Sequence, residues 1–183
     1  MPILTVIAGP NGSGKSTLTQ SVDFEGRERL LDPDVIARRL NPLHPSAAAI
    51  AAGREVLKRT VDYLHRGVSF AVETTLSSRG RLDLIREAKS RGYAIHLVFV
   101  GMDSPERCIA RIRSRAAMGG HFIPDADVRR RYTRSVANAG QALRSADLAY
   151  FYDNSGDSPR LILTADAGIV AWQAEPTPEW VRL

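Results

Sequence analysis

Eight residues near the start of the chain, Gly9-Pro10-Asn11-Gly12-Ser13-Gly14-Lys15-Ser16, restrict its fold more than any other stretch. They match the spacing G-x-x-x-x-G-K-[ST] at every position. An apolar, β-branched run with Ile3, Val6 and Ile7 precedes them, short enough to be a buried parallel strand. Gly9, Gly12 and Gly14 admit backbone angles that other residues resist, so successive N–H groups can converge on one anion. Ser16 and Thr17 open a helix whose positive end faces the same point. Lys15 adds a charge suited to β- and γ-phosphates, and the Ser16 hydroxyl is a ligand for Mg²⁺. The alternative is a glycine-rich turn with no ligand, but the strand before and helix after are what a phosphate loop requires. Gly9, Asn11, Gly12, Ser13, Gly14, Lys15, Ser16 and Thr17 are therefore the expected ATP-binding residues.

The rest of the chain alternates short apolar strands with amphipathic helices. This pattern predicts a three-layer α/β/α fold with a mainly parallel central sheet. Strands are expected at 29–31, 68–72, 93–100 and 148–152, and a closing hairpin at 160–164 and 169–173. Helices are expected at 35–40, 46–66, 81–91, from Pro105, and from about 125 to 145, with Ser46 and either Asp125 or Asp127 as caps. Residues 1–183 read as a single domain, with a short tail carrying Trp180. Asp34 follows the second strand. It can cap the next helix, or it can sit in the crevice beyond the strand ends and accept a proton from a hydroxyl acceptor. We expect the second role, with Asp32 in reserve. Glu73 leaves the third strand, where a charge must face a cleft or a partner. Asn154, just past the fifth strand, joins the expected cofactor-binding set, and His96 is expected to be a packed or cleft-wall residue.

Net charge is +5, and its location is informative. Between Pro105 and Arg134 stand eight arginines against three acids, a local excess equal to that of the whole chain. A local anion site fits this better than a surface coated with nucleic acid. Arg107, Arg111 and Arg115 share a helix face, and Gly119-Gly120 breaks the helix. The segment from about 105 to 134 reads as an arginine-rich lid whose glycines act as a hinge. Few aromatics interleave with the arginines, so an enzyme gripping a polynucleotide is the weaker alternative. One cysteine, Cys108, rules out an internal disulfide framework and suits a cytoplasmic setting. No run of about 20 apolar residues predicts a membrane span.

Taken together, the phosphate loop, the Asp34 turn, Glu73-Thr74-Thr75 and Gly119-Gly120-His121-Phe122-Ile123-Pro124 followed by Arg129-Arg130-Arg131-Tyr132 resemble the zeta-toxin family of P-loop kinases, in its small chromosomal form. The resemblance covers roughly residues 3 to 155. It implies ATP- and Mg²⁺-dependent phosphorylation of a hydroxyl, in that family of a UDP-N-acetyl amino sugar, with an antitoxin as partner. Asp34 then matches the base, and Glu73 and Thr75 match residues that hold the acceptor. Arg115 and one of Arg130 or Arg131 match arginines that neutralise the transferred group. His121 falls among the expected substrate-binding residues. The chain is shorter than the plasmid toxins, and Glu73 is followed by Thr-Thr where they carry a glycine. The expected protein is a monomeric small-molecule kinase. The alternatives are a nucleoside- or polynucleotide-directed kinase and a non-catalytic ATP-binding module that docks a partner.

Overall fold

The computed structural model describes residues 1–120 and 122–181. Seven strands form one sheet in the order β2-β3-β1-β4-β5-β6-β7. They are β1 (Ile3–Ala8), β2 (Leu30–Leu31), β3 (Phe70–Thr74), β4 (Ala94–Gly101), β5 (Leu148–Asp153), β6 (Arg160–Asp166) and β7 (Ile169–Gln173). The first five run parallel, and β6 and β7 add an antiparallel edge. The helices are α1 (Lys15–Ser21), α2 (Pro33–Leu40), α3 (Ala49–Arg66), α4 (Arg79–Ser90), α5 (Pro105–Ala117) and α6 (Asp125–Ser145). The three-layer α/β/α class expected from the sequence is the one observed. No helix among the described residues is long and apolar enough to cross a membrane.

The main core lies on one face of the sheet. Leu4, Val6 and Ala8 of β1, Ile95, Leu97 and Phe99 of β4, and Ala149 and Phe151 of β5 meet Ala139 and Leu143 of α6. A separate apolar cluster holds the two arginine-rich helices together: Met102, Cys108, Ile109, Ile112, Ile123 and Val128, with Tyr132 packed against it. Burial pushes the Cys108 thiol up to about 12, so this cysteine is a packing residue and not a nucleophile.

Several local expectations are corrected. Ser46 does not cap α3, because a 3₁₀ turn at Pro45–Ala48 leads into it. Pro124 occupies the position before α6, and Asp125 and Asp127 instead pair with Arg113 and Arg130. Glu73 lies within β3 and not after it. Gly119 and Gly120 are a helix stop. Gly120 N–H donates to the Arg115 carbonyl (2.9 Å) and Gly119 N–H to that of Ala116 (3.0 Å), with Gly119 at φ +85°. This is the bond pattern of a left-handed C-terminal cap. A Cβ on Gly120 would meet the Arg115 carbonyl oxygen at 2.8 Å, while Gly119 has nothing within 4 Å of that position, so Gly120 is packed onto α5 and Gly119 supplies the left-handed turn. The tail is also part of the core. Trp180 is 5% exposed, lies 5.8 Å from Phe99, and donates from Nε1 to Asp153 (2.9 Å).

Candidate active site

In a doubly wound sheet, ligands bind beyond the carboxyl ends of the strands where the connections change direction. That point here is β1, with β3 on one side and β4 on the other. The loop from β1 to α1 fills it. Gly9, Gly12 and Gly14 have φ of +142°, +78° and +95°, and each presses against a neighbour. An added Cβ would meet the Val100 carbonyl at 2.1 Å, that of Cys108 at 2.6 Å, or the Asn154 amide nitrogen at 2.2 Å, respectively. The glycines thus serve packing as much as backbone angle. Asn154 is buried and donates from Nδ2 to the Ser13 carbonyl (2.7 Å), bracing the loop from the end of β5. The Ser13 hydroxyl is buried and has no hydrogen-bond partner among the described residues.

Lys15 is buried, and its ammonium donates to the carbonyls of Gly9 and Pro10, both at 2.9 Å. Burial lowers its pKa, and the charges of Glu73 and Asp34 partly offset that. Beside it the Ser16 hydroxyl donates to both oxygens of Glu73, at 3.1 and 3.4 Å. Burial raises the pKa of Glu73, against the pull of Lys15. Hydroxyl and carboxylate together are hard oxygen donors of the kind Mg²⁺ takes when phosphates supply its remaining ligands. Among the described residues no cluster of three or more acidic, histidine or cysteine side chains could hold a metal alone. The residues therefore fit Mg²⁺ arriving with a nucleotide.

The Asp32-Pro33-Asp34 turn divides its two carboxylates by task. Asp32 is buried and caps α2, accepting from the N–H groups of Asp34 (2.8 Å) and Val35 (3.3 Å). Asp34 sits in the first turn of α2 with its side chain exposed on the cavity wall. The capping role considered for Asp34 belongs to Asp32, which leaves the Asp34 carboxylate free.

These elements surround one cavity of about 680 Å³, within the range of small-molecule sites. Its wall includes Asn11, Gly12, Gly14, Lys15, Ser16 and Thr17 from the loop, Asp34, Glu73 and Thr75 from the β2–β3 side, and Arg115, Arg131 and Asn154 from the other. Arg131 reaches Asn11 Oδ1 at 3.4 Å. Thr75 shares a 2.8 Å hydroxyl contact with Ser77. The next residue, Leu76, is fully buried at φ +54°. Thr74 Oγ1 accepts its N–H (3.0 Å) and Asn138 Nδ2 donates to its carbonyl (2.8 Å). A left-handed leucine is costly, and the two bonds and its burial hold it in place.

Comparison with known proteins gives the family. Residues 4–138 match the model of the family described as AAA domain. The chain belongs to the AAA domain family. An uncharacterized protein of Haemophilus influenzae is 37% identical to it over 124 residues, 68% of this chain and 88% of the other. Among solved structures, the AvrRxo1-ORF1:AvrRxo1-ORF2 complex with sulphate ions aligns at TM-score 0.70 and 16% identity over 93% of the chain. The same complex with ATP gives 0.69 and 15%. The chain spans only 60% of that protein's length. The PezAT chromosomal toxin-antitoxin system of Streptococcus pneumoniae aligns at 0.59 and 16% identity, over 87% of this chain and 72% of the other. At such identities these structures share the fold.

Within this AAA domain, not every expected residue reaches the cavity. Gly9 and Ser13 lie under the loop and shape it. Arg130 is exposed and paired with Asp127 at 2.8 Å, so of the two candidates only Arg131 lines the site. His121 lies outside the described residues. Sequence reasoning missed Arg81, Ser78 and Asp157, and singled out Arg111 only for its helix face; all four line the cavity. Arg111 donates to the Asn154 carbonyl at 2.8 Å. Its place one turn before Arg115, on the same face of α5, was the signal available for it. His96 lines a second, smaller cavity on the opposite face of the sheet, with Val98, Tyr150 and Tyr152.

Proposed function

We propose that the protein is a kinase that moves the γ-phosphoryl group of ATP to a hydroxyl of a small molecule. One arrangement carries this reading: Lys15 and Ser16 share a single cavity with the uncommitted carboxylate of Asp34 and with Arg115 and Arg131. The loop N–H groups and Lys15 bind the β- and γ-phosphates, whose charge restores what burial takes from the ammonium. Ser16 and Glu73 would hold Mg²⁺, which would supply positive charge against the phosphates. Asp34 accepts the proton of the acceptor hydroxyl as its oxygen bonds to the γ-phosphorus and the bond to the β–γ bridging oxygen breaks, releasing ADP. Arg115 and Arg131 face the charge spread over the transferred group.

The fold shared with a complex solved with ATP, and with a toxin-antitoxin protein, supports a phosphotransferase and is compatible with a protein partner. A UDP-N-acetyl amino sugar is the acceptor that the zeta-toxin resemblance suggests, with Glu73 and Thr75 beside it. The test is to incubate the protein with ATP–Mg²⁺ and a panel of nucleotide sugars, sugars, nucleosides and short oligonucleotides, and to read each by mass. One acceptor should gain a phosphoryl group with wild type and not with Lys15→Ala. If none gains one while ATP binds, the non-catalytic module replaces this reading, and a phosphorylated oligonucleotide end replaces the small-molecule acceptor.

A further inference from the structure

Arg81 is the one arginine of the cavity wall supplied by α4, and the proposed chemistry leaves it without a task. It is half-buried, and no hydrogen bond or ion pair joins its guanidinium to any described residue; its backbone N–H donates to the Ser78 carbonyl (3.2 Å). Burial lowers its pKa, and no ion pair with a described carboxylate counters that. An unpaired guanidinium withdrawn from water is costly unless something completes it. The other cavity arginines are differently placed: Arg111 is bonded to the end of β5 and Arg131 to the phosphate loop, while Arg115 is exposed on α5.

Arg81 belongs to the opposite wall. Its helix follows β3, the strand that carries Glu73, ends just before Thr75 and lies between β1 and β2, the strand that Asp34 follows. In the loop joining β3 to α4, Leu76 is held by two hydrogen bonds, and Arg81 follows in the first turn of α4. Ser78, at the cap position of α4, makes no capping bond with its side chain and lines the same wall. Lys15, Arg111 and Arg131 are bonded to the phosphate loop or to the strand end that braces it, and Arg115 is exposed. Arg81 is the cation withdrawn from water without a side-chain partner among the described residues, on the wall that follows β3.

We infer that the acceptor is an alcohol bearing an anionic group, phosphate or carboxylate, and that Arg81 with Ser78 grips that group while Asp34 receives the hydroxyl. This rests on the kinase reading of the same cavity. A guanidinium presents a fork that meets two oxygens of either anion, so charged acceptors are selected over neutral ones of the same shape.

The test is calorimetric titration of the full chain saturated with the magnesium complex of β,γ-imido ATP, which fills the γ-phosphate position. Glycerol 3-phosphate and glycerate are the phosphate and carboxylate probes, and glycerol is the neutral control. Wild type should bind at least one charged probe ~10-fold or more tightly than glycerol, as expected of a charge-assisted pair, and the two arms show which anion is preferred. Arg81→Gln should lose that preference while keeping nucleotide affinity and melting temperature, and Arg81→Lys should restore part of it. Equal binding of charged and neutral probes, or an unchanged preference in Arg81→Gln, overturns the inference. A loss of nucleotide affinity in Arg81→Gln overturns it too, by assigning Arg81 to ATP. Failure of wild type to bind the nucleotide would instead sink the kinase reading; the same probes titrated onto the nucleotide-free chain, wild type against Arg81→Gln, still decide for or against Arg81.

Discussion

Glu73 and Asp32 show how single carboxylates acquire different tasks from their surroundings. Burial raises the pKa of Glu73 above its ordinary 4.5, so the folded chain holds that proton more tightly than the unfolded one does. The stability tied to this group is present below the unfolded value and is lost as pH rises through the folded value. Glu73→Gln removes the titration and keeps an acceptor for Ser16. In the absence of nucleotide and metal, the variant should match wild type near pH 4 and melt at a higher temperature than wild type by pH 8. Thermal scans at several pH values check this; a constant offset would mean the carboxylate is not the cause. Asp32 was legible in principle. Pro33 forces the preceding residue into the extended region and takes the first helical position itself, which makes Asp32 the cap by local chemistry alone. Arg81 was not legible, because its lack of a partner depends on what the fold brings near it.

At the scale of elements, α5 and α6 form one arginine-rich unit with its own apolar cluster, separate from the main core. The sequence marked both helices and their charge excess, and it placed the start of α5 at Pro105. The hydrogen bonds add that the two glycines close α5 as a left-handed cap, a detail that glycine spacing alone does not distinguish from a simple break. Several arginines are already committed, Arg129 to Glu106 and Arg107 to Asp103, while Arg115 and Arg131 face the cavity. Adding ATP–Mg²⁺ should therefore slow amide exchange between residues 105 and 134. Arg115→Ala and Arg131→Ala should each lower turnover by about 10³-fold with a much smaller effect on nucleotide affinity, since such contacts tighten in the transition state. Unchanged exchange with full activity in both variants would make this unit a solvated surface.

Over the whole molecule, strand–helix alternation was enough to read the class of sheet, because each parallel strand is a short apolar run ended by turn chemistry. The tail was not readable that way. Trp180 lies far along the chain from Phe99 and Gly101, and a Cβ on Gly101 would strike its ring at 2.2 Å, so its role exists only in the fold. Trp180→Ala should cost about 3–5 kcal/mol, the usual range for a buried aromatic, seen in denaturant unfolding. A loss below ~1 kcal/mol would return the tail to the surface. Trp180 also holds Asp153, next to the Asn154 that braces the phosphate loop, so the closing residues bear on the site they do not line.

Asp34, relieved of capping by Asp32, is the proposed base of a phosphoryl transfer in the cavity it shares with Lys15. The most direct measurement is turnover of Asp34→Asn with saturating ATP–Mg²⁺ and an acceptor from the panel, alongside nucleotide affinity and melting temperature. Turnover should fall by about 10²-fold or more while affinity and melting temperature stay at wild-type values; Asp32→Ala should instead cost ~1 kcal/mol of stability. Wild-type turnover in Asp34→Asn would contradict the account.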